Sequence, residues 1–288
     1  MRIKSNSHFV FVAISSQQHE DPQDKDRFIK DIFHSIYILQ SIGVPGSCIS
    51  IVSDWAVDDW TAVGFNPFQP IAPKDACAYI QALDCENLFI VSSCHGDLIG
   101  IGGIDSIRPN DLIQSIKSNA KVQNCLVFFG QCYADVFNYT NVFDEQKNIV
   151  YIGATGMRTG ISSTMSWNIS PTQSFRWIAN ISVFYMFEWL QNPIDVDNDG
   201  HFSIMDLYKY VSYKTNNKTE EIEKVETMSF LDTKIKVEIQ KLIQQGQSTL
   251  LSQLDAAANQ ALLRYIIPHQ DCWILNARPA SSMFFEFY

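Results

Sequence analysis

The chain has 288 residues, 46% hydrophobic, 18% charged and 12% aromatic; this mixture excludes a disordered or fibrous chain and allows a core that needs no disulfide staple. Lys and Arg number 21 against 31 Asp and Glu, a formal charge of −10 that repels phosphate backbones and anionic lipid, so neither nucleic acid nor a membrane is an expected partner. Seven cysteines at irregular spacing, with no signal-peptide pattern in MRIKSNSHFVFVAISSQQ, read as free thiols in a reducing compartment, and a cytoplasmic location is expected.

The N-terminal half alternates short apolar, β-rich runs with helical periods, the pattern of an α/β fold built on a mainly parallel sheet. His8 to Ile14 is expected as a first strand, and Asp26 to Ile42 spaces Phe28, Ile29, Ile32, Phe33, Ile36 and Leu39 as on a helix. Cys48 to Val52 follows as a strand. Asp54 to Pro73 shows no period and reads as a surface excursion. A helix over Lys74 to Leu83 precedes Asn87 to Ser92, a nearly all-apolar run expected of a strand covered on both faces. Pro109 to Ser118 is the next helix, Cys125 to Phe129 the next buried strand, and Asn148 to Ala154 another. Beyond breaks at Gly156 and Gly160 the chain reads as mostly helical up to a last strand, Cys272 to Asn276.

Pro171 to Leu190 is apolar nearly all round, as a helix buried within a domain would be. Its apolar part, Ile181 to Leu190, is interrupted by Glu188 and falls short of the roughly 20 residues of a membrane span. A polar segment, Thr215 to Glu226, separates it from an amphipathic stretch, Phe230 to Ile267. The expected organisation is a single domain over 1–288, in which 172–214 form a helix-loop-helix and 228–267 a long helical segment packed on the rest.

In parallel sheets reactive groups collect at the carboxyl ends of strands. His95 follows one apolar strand and Cys132 the next, thirty-seven residues on, with one helix between, so neighbouring strands would deliver both to one edge. A cysteine beside a strand is ordinarily a small core residue and a lone histidine ordinarily decoration; the pairing is more specific than either. Cys132 would attack an amide carbonyl, His95 would protonate the leaving amine, and the backbone N–H groups of Gly96 and Cys132 would hold the oxyanion. Cys94 has no CxxC or HxxxH partner pattern, which argues against zinc.

The segments FIVSSCHGD, Phe89 to Asp97, and LVFFGQCYADVF, Leu126 to Phe137, resemble the caspase/legumain-like cysteine peptidases, which share a strand ending in His-Gly and a later strand ending in the nucleophilic cysteine. The resemblance covers mainly Val10 to Gly160. It implies a caspase-like three-layer α/β sandwich with a helical C-terminal half, a Cys132/His95 dyad, and cleavage of a protein or peptide substrate with no cofactor in the chemistry. Asp97, Gly130 and Arg158 fall where such peptidases place substrate-binding residues. The sequence departs from the family in Tyr133-Ala134-Asp135 after the cysteine and in Gly130 two places before it, where relatives that cut after charged residues carry an acid.

Asp195 to Asp206, DVDNDGHFSIMD, has the spacing of a twelve-residue calcium loop. Asp195, Asp197 and Asp199 would converge on one ion, Gly200 would permit the turn, the His201 carbonyl would add a ligand, Ser203 would act through its hydroxyl or a water, and Asp206 would close the set. Aspartate in place of the usual twelfth-position glutamate favours weaker calcium binding and admits magnesium. The competing reading is a polar turn that caps a helix through Asp or Ser. The expected function is thus a cysteine endopeptidase stabilised or activated by calcium. The alternatives are a catalytically silent, calcium-responsive interaction module and a cysteine-dependent transamidase.

Overall fold

The computed structural model describes residues 6–15, 22–61, 69–102, 106–157, 160, 162–170, 173–230 and 272–286. Its apolar runs form β1 (Ser7–Ala13), β2 (Ile49–Ser53), β3 (Asn87–Ser92), β4 (Asn124–Phe129) and β5 (Asn148–Gly153). These pair in parallel in the order β2-β1-β3-β4-β5, and the short strand β8 (Trp273–Leu275) adds antiparallel to β5. The fold is mixed α/β with a mostly parallel central sheet, as the alternating pattern requires. Every residue of β3 is buried, because a parallel strand reached by crossover helices is covered on both faces.

Alternation along the strands divides the core in two. On one face Val10, Val12, Leu88, Ile90, Cys125, Val127 and Phe129 share a cluster with Ile80 of α3 (Ala76–Ala82) and with Leu112, Ile113 and Ile116 of α4 (Pro109–Ser118). On the other, Phe9 stacks on Phe89 at a 4.4 Å centroid separation and Phe11 meets Phe187 at 5.8 Å. This second face is covered by α1 (Pro22–Ser41) and α5 (Ile181–Gln191). All of α5 except Glu188 and Gln191 is buried, which accounts for its lack of a polar stripe.

The structure differs from the sequence reading after β5. Where one helix was expected from Pro171 to Leu190, Ser162–Ser170 (β6) and Gln173–Asn180 (β7) form an antiparallel hairpin, and the helix begins only at Ile181. In β7 the alternation decides: Trp177 and Ala179 are buried while Arg176 and Ile178 are exposed, a period of two hidden beside the apolar run that follows. Val57–Thr61 (α2) interrupts the surface excursion with a short helix whose Trp60 is buried. The polar segment Thr215 to Glu226 is no break, because α6 runs from Ile204 through Phe230. Most of the amphipathic stretch Phe230 to Ile267 lies outside the described residues.

Contacts divide the chain into two compact units, Met1–Ser212 with Asp271–Tyr288, and Tyr213–Gln270. Of the second unit, residues 213–230 are described, all within α6. No disulfide joins the seven cysteines. Among the described residues no helix is long and apolar enough to cross a membrane.

Candidate active site

The β3–β4 ladder pairs Asn87 with Asn124 and runs without a shift to Ser92 opposite Phe129. His95 and Cys132 each lie three residues beyond that last pair, so the two loops leave the sheet side by side and in step. Their backbones are in close contact. A Cβ placed on Gly96 would lie 2.5 Å from the Cys132 carbonyl oxygen and 2.3 Å from Cγ of Gln131, so only glycine lets the loops approach this closely.

Each loop is held locally. On the His95 side, Gly102 N–H donates to the His95 carbonyl at 2.9 Å, and the Asp97 carboxylate accepts from the N–H groups of Ile99 and Gly100 at 2.7 and 3.1 Å. The His95 ring meets Phe28 of α1 edge-on at 5.0 Å. On the Cys132 side, Tyr133 takes the left-handed conformation, φ +54°, and opens a 3₁₀ turn over Ala134–Phe137. That costs a non-glycine residue about 1–2 kcal/mol. Phe137 opposes it by stacking on Phe129 at 4.1 Å. Cys132 is half-buried, and its Sγ accepts the Gly160 N–H at 3.3 Å.

Several expected substrate contacts are otherwise engaged. Asp97 caps its own turn. Gly130 is packed, since a Cβ there would lie 2.5 Å from both the Ser92 carbonyl oxygen and a Val183 methyl, so the position has no room for an acidic side chain. Arg158 lies outside the described residues.

Residues that carry no local sequence signal frame the site. Asp31 of α1 is buried, and its carboxyl accepts from Trp177 Nε1 at 2.7 Å, from the Ser93 hydroxyl at 2.8 Å, and from the Asn180 backbone N–H at 3.2 and 3.3 Å. Asn180 in turn donates through Nδ2 to the Gly130 carbonyl and accepts the Val183 N–H at the start of α5. Burial pushes the Asp31 carboxyl up, against the hydrogen bonds from Trp177, Ser93 and Asn180 and the nearby Arg27 charge, leaving it at about 7. One helical turn on, His34 lies among Trp167, Trp177 and Phe184, and burial lowers its pKa to about 3.

In the aspartate-rich loop the structure brings together Asp195, Asp197 and Asp199, with one carboxylate oxygen of each within 4.8 Å of the others. Asp195 accepts from the N–H groups of Asp199 and Gly200, and Gly200 has φ +88°. Lys209 Nζ lies 2.9 Å from Asp197. His201 donates its N–H to Asp199 and stacks its ring on Phe284. Ser203 and Asp206 do not join the cluster. They form a reciprocal cap at the start of α6: Asp206 N–H donates to the Ser203 hydroxyl, while the Asp206 carboxylate accepts the Ser203 N–H, the Ser203 hydroxyl and the Val196 N–H. Burial acts to raise the Asp206 pKa, but these hydrogen bonds outweigh it and hold the group below the usual range.

No protein-family model matches the sequence, and the search of curated proteins found no match. Among solved structures, the chain is similar to caspase-1 from Spodoptera frugiperda, with 12% identity and a TM-score of 0.43 over 74% of this chain and 77% of the other. It is also similar to pro-sf-caspase-1, with 11% identity and a TM-score of 0.44 over 75% and 83%.

Two outcomes are expected from this geometry. Gly96→Ala should cost about 1–3 kcal/mol through overpacking and slow alkylation of Cys132, read by denaturant melts and mass spectrometry; unchanged values would refute the close approach. Because Asp31 binds its proton more tightly folded than unfolded, its contribution to stability falls as pH rises from about 4 to about 7. The urea midpoint of Asp31→Asn relative to the parent chain should therefore rise between about pH 5 and pH 8. A constant difference would rule this out.

Proposed function

We propose that the chain is a cysteine endopeptidase acting through Cys132 and His95. The observation that carries the reading is the unshifted β3–β4 ladder, with the histidine and the cysteine each three residues past its last pair. Two chemically complementary groups at matched positions of adjacent parallel strands are what a nucleophile and its proton carrier need. The Gly160 N–H that reaches Cys132 Sγ at 3.3 Å supports the reading as well, because it fixes the direction in which the sulfur points.

In the proposed reaction the Cys132 thiolate adds to the scissile carbonyl carbon. The developing oxyanion is held by the backbone N–H groups of Gly96 and Cys132. The C–N bond breaks as His95 gives its proton to the leaving nitrogen, and a thioester remains on Cys132. Water, deprotonated by His95, then adds to the thioester, and the acid departs with the thiolate restored.

The aspartate-rich loop is proposed as a divalent-cation site, with Asp195, Asp197 and Asp199 as its side-chain ligands. Three convergent carboxylates suit a hard ion such as calcium or magnesium, whose ligands are oxygens. Lys209 beside Asp197 marks the negative potential such an ion would neutralise. The capping roles of Ser203 and Asp206 remove both from the proposed ligand set. When bound, the ion supplies charge neutralisation that stabilises the turn between α5 and α6.

Cys132→Ala should abolish cleavage of a denatured protein substrate, and His95→Ala should lower kcat by about a thousandfold or more, both with the parent circular dichroism. Turnover retained in folded Cys132→Ala would refute the assignment. Calcium should raise the melting temperature in a concentration-dependent, chelator-reversible way, and Asp195→Ala/Asp199→Ala should remove the response. Equal binding heats and melting curves for parent and variant would refute the metal site.

A further inference from the structure

The polar groups behind the site are arranged with a symmetry the dyad itself does not require. Ser93 lies two residues before His95 and Gly130 two residues before Cys132, so the pair continues the β3–β4 register one step beyond Ser92 and Phe129. Ser93 donates its hydroxyl to Asp31 at 2.8 Å. Gly130 gives its carbonyl to Asn180 Nδ2, and the Asn180 backbone N–H reaches the same Asp31 carboxyl at 3.2 Å. One buried carboxyl thus joins the two strand ends that carry the reactive residues. The helix that supplies it also sets Phe28 against the His95 ring.

We propose that Asp31 is a positioning residue for the Cys132/His95 dyad, holding the Ser93 and Gly130 strand ends at one fixed spacing through its bonds to Ser93 and Asn180. The proposal rests on the dyad reading above. A carboxyl is rarely fully buried, because removing it from water is costly unless its oxygens find donors. Here three residues from two elements donate: Ser93 beyond β3, and Trp177 and Asn180 of β7. The charged group acting on Asp31 is Arg27, one turn earlier on α1. Arg27 lies over the Phe28 ring at 4.1 Å and donates to Ser162 of β6 at 2.7 Å. His34, the other titratable neighbour on α1, is kept neutral by burial, and the donors from β3 and β7 carry no charge.

The geometry also separates the roles of charge and shape. In Asp31→Asn the amide oxygen can accept from Trp177 and the Asn180 N–H, and the amide nitrogen can donate to Ser93 once that hydroxyl turns to accept. Asp31→Ala removes all the acceptors. A positioning role therefore calls for loss in the alanine variant and rescue in the asparagine one.

The test uses the full chain and iodoacetamide, a neutral thiol probe. Its rate of reaction with Cys132 is followed by peptide mass spectrometry from about pH 5 to pH 9, well below each variant's melting temperature. In Asp31→Ala the Cys132 rate should fall about tenfold to a hundredfold and its pH profile should change, with the rate at half-buried Cys48 unchanged; Asp31→Asn should restore the parent profile. If Asp31→Ala does not fold, Ser93→Ala decides, since it removes a single bond; it should shift the Cys132 profile in the same direction by a smaller amount. A lower melting temperature with an unchanged Cys132 profile overturns the proposal and leaves Asp31 a structural residue. A parent profile indifferent to His95→Ala is a different failure. It removes the dyad itself, and the positioning role with it.

Discussion

Parallel pairing of β3 with β4 is the constraint on which the rest of the molecule depends. A parallel ladder has one register, and a slip of one residue would turn each side chain of β4 to the opposite face. The burial of every residue in β3 and of five in β4 makes such a slip costly, because Leu126 and Phe128 would exchange places with Val127 and Phe129 in two differently shaped cores. The same register sets Ser92 against Phe129, Ser93 level with Gly130, and His95 level with Cys132. Packing energy spread over the whole sheet in this way fixes where the loops that carry His95 and Cys132 begin.

Helix α1 ties the sheet to the β6–β7 hairpin. One side of it supports the sheet, and the side bearing Asp31 and His34 lies under the β6–β7 hairpin. Tyr37 and His34 meet Trp167, and Phe33 meets Phe175. Under this cover water is excluded, so the acid must find its hydrogen bonds within the protein and the imidazole stays neutral. A buried acid with donors on two elements resists relative movement of those elements more than an apolar contact would, because hydrogen bonds are directional. The left-handed Tyr133 shows the converse at Cys132, where the chain accepts local strain and Phe137 anchors the turn from below.

The turn between α5 and α6 combines two of the motifs weighed for it. Its first half gathers three carboxylates; its second half is the N-terminal cap of α6. The C-terminal segment secures the junction, as Ile204 N–H donates to the Met283 carbonyl at 3.1 Å and Phe285 N–H to the Phe202 carbonyl at 2.6 Å. Backbone groups left open in a lone loop are thus satisfied by residues some eighty positions later in the chain.

Local pattern was sufficient wherever one short-range signal ruled. The apolar runs of β1 to β5, the Pro-led helix α4, the strand-end placement of His95 and Cys132, and the Asp-Gly turn at 195–200 could all be read from neighbouring residues, since strand and turn preferences act over a few positions. Legibility failed where a distant segment decides what is inside. Asp31, His34 and Ser35 occupy i, i+3 and i+4, the spacing of a solvated helix face, and nothing in α1 reveals that a hairpin more than a hundred residues later will bury them. The hairpin was hidden because Trp177 and Ala179 run directly into the apolar α5. Ser203 and Asp206 fitted a metal loop and a helix cap equally well by spacing, and only the direction of their hydrogen bonds separates the two. By itself the sequence determined the parallel strands and the sheet edge at which His95 and Cys132 emerge, because these follow from local periodicity. Which polar groups are buried, and whom they bind, was decided by tertiary structure alone, because burial is a property of the segment that covers a residue.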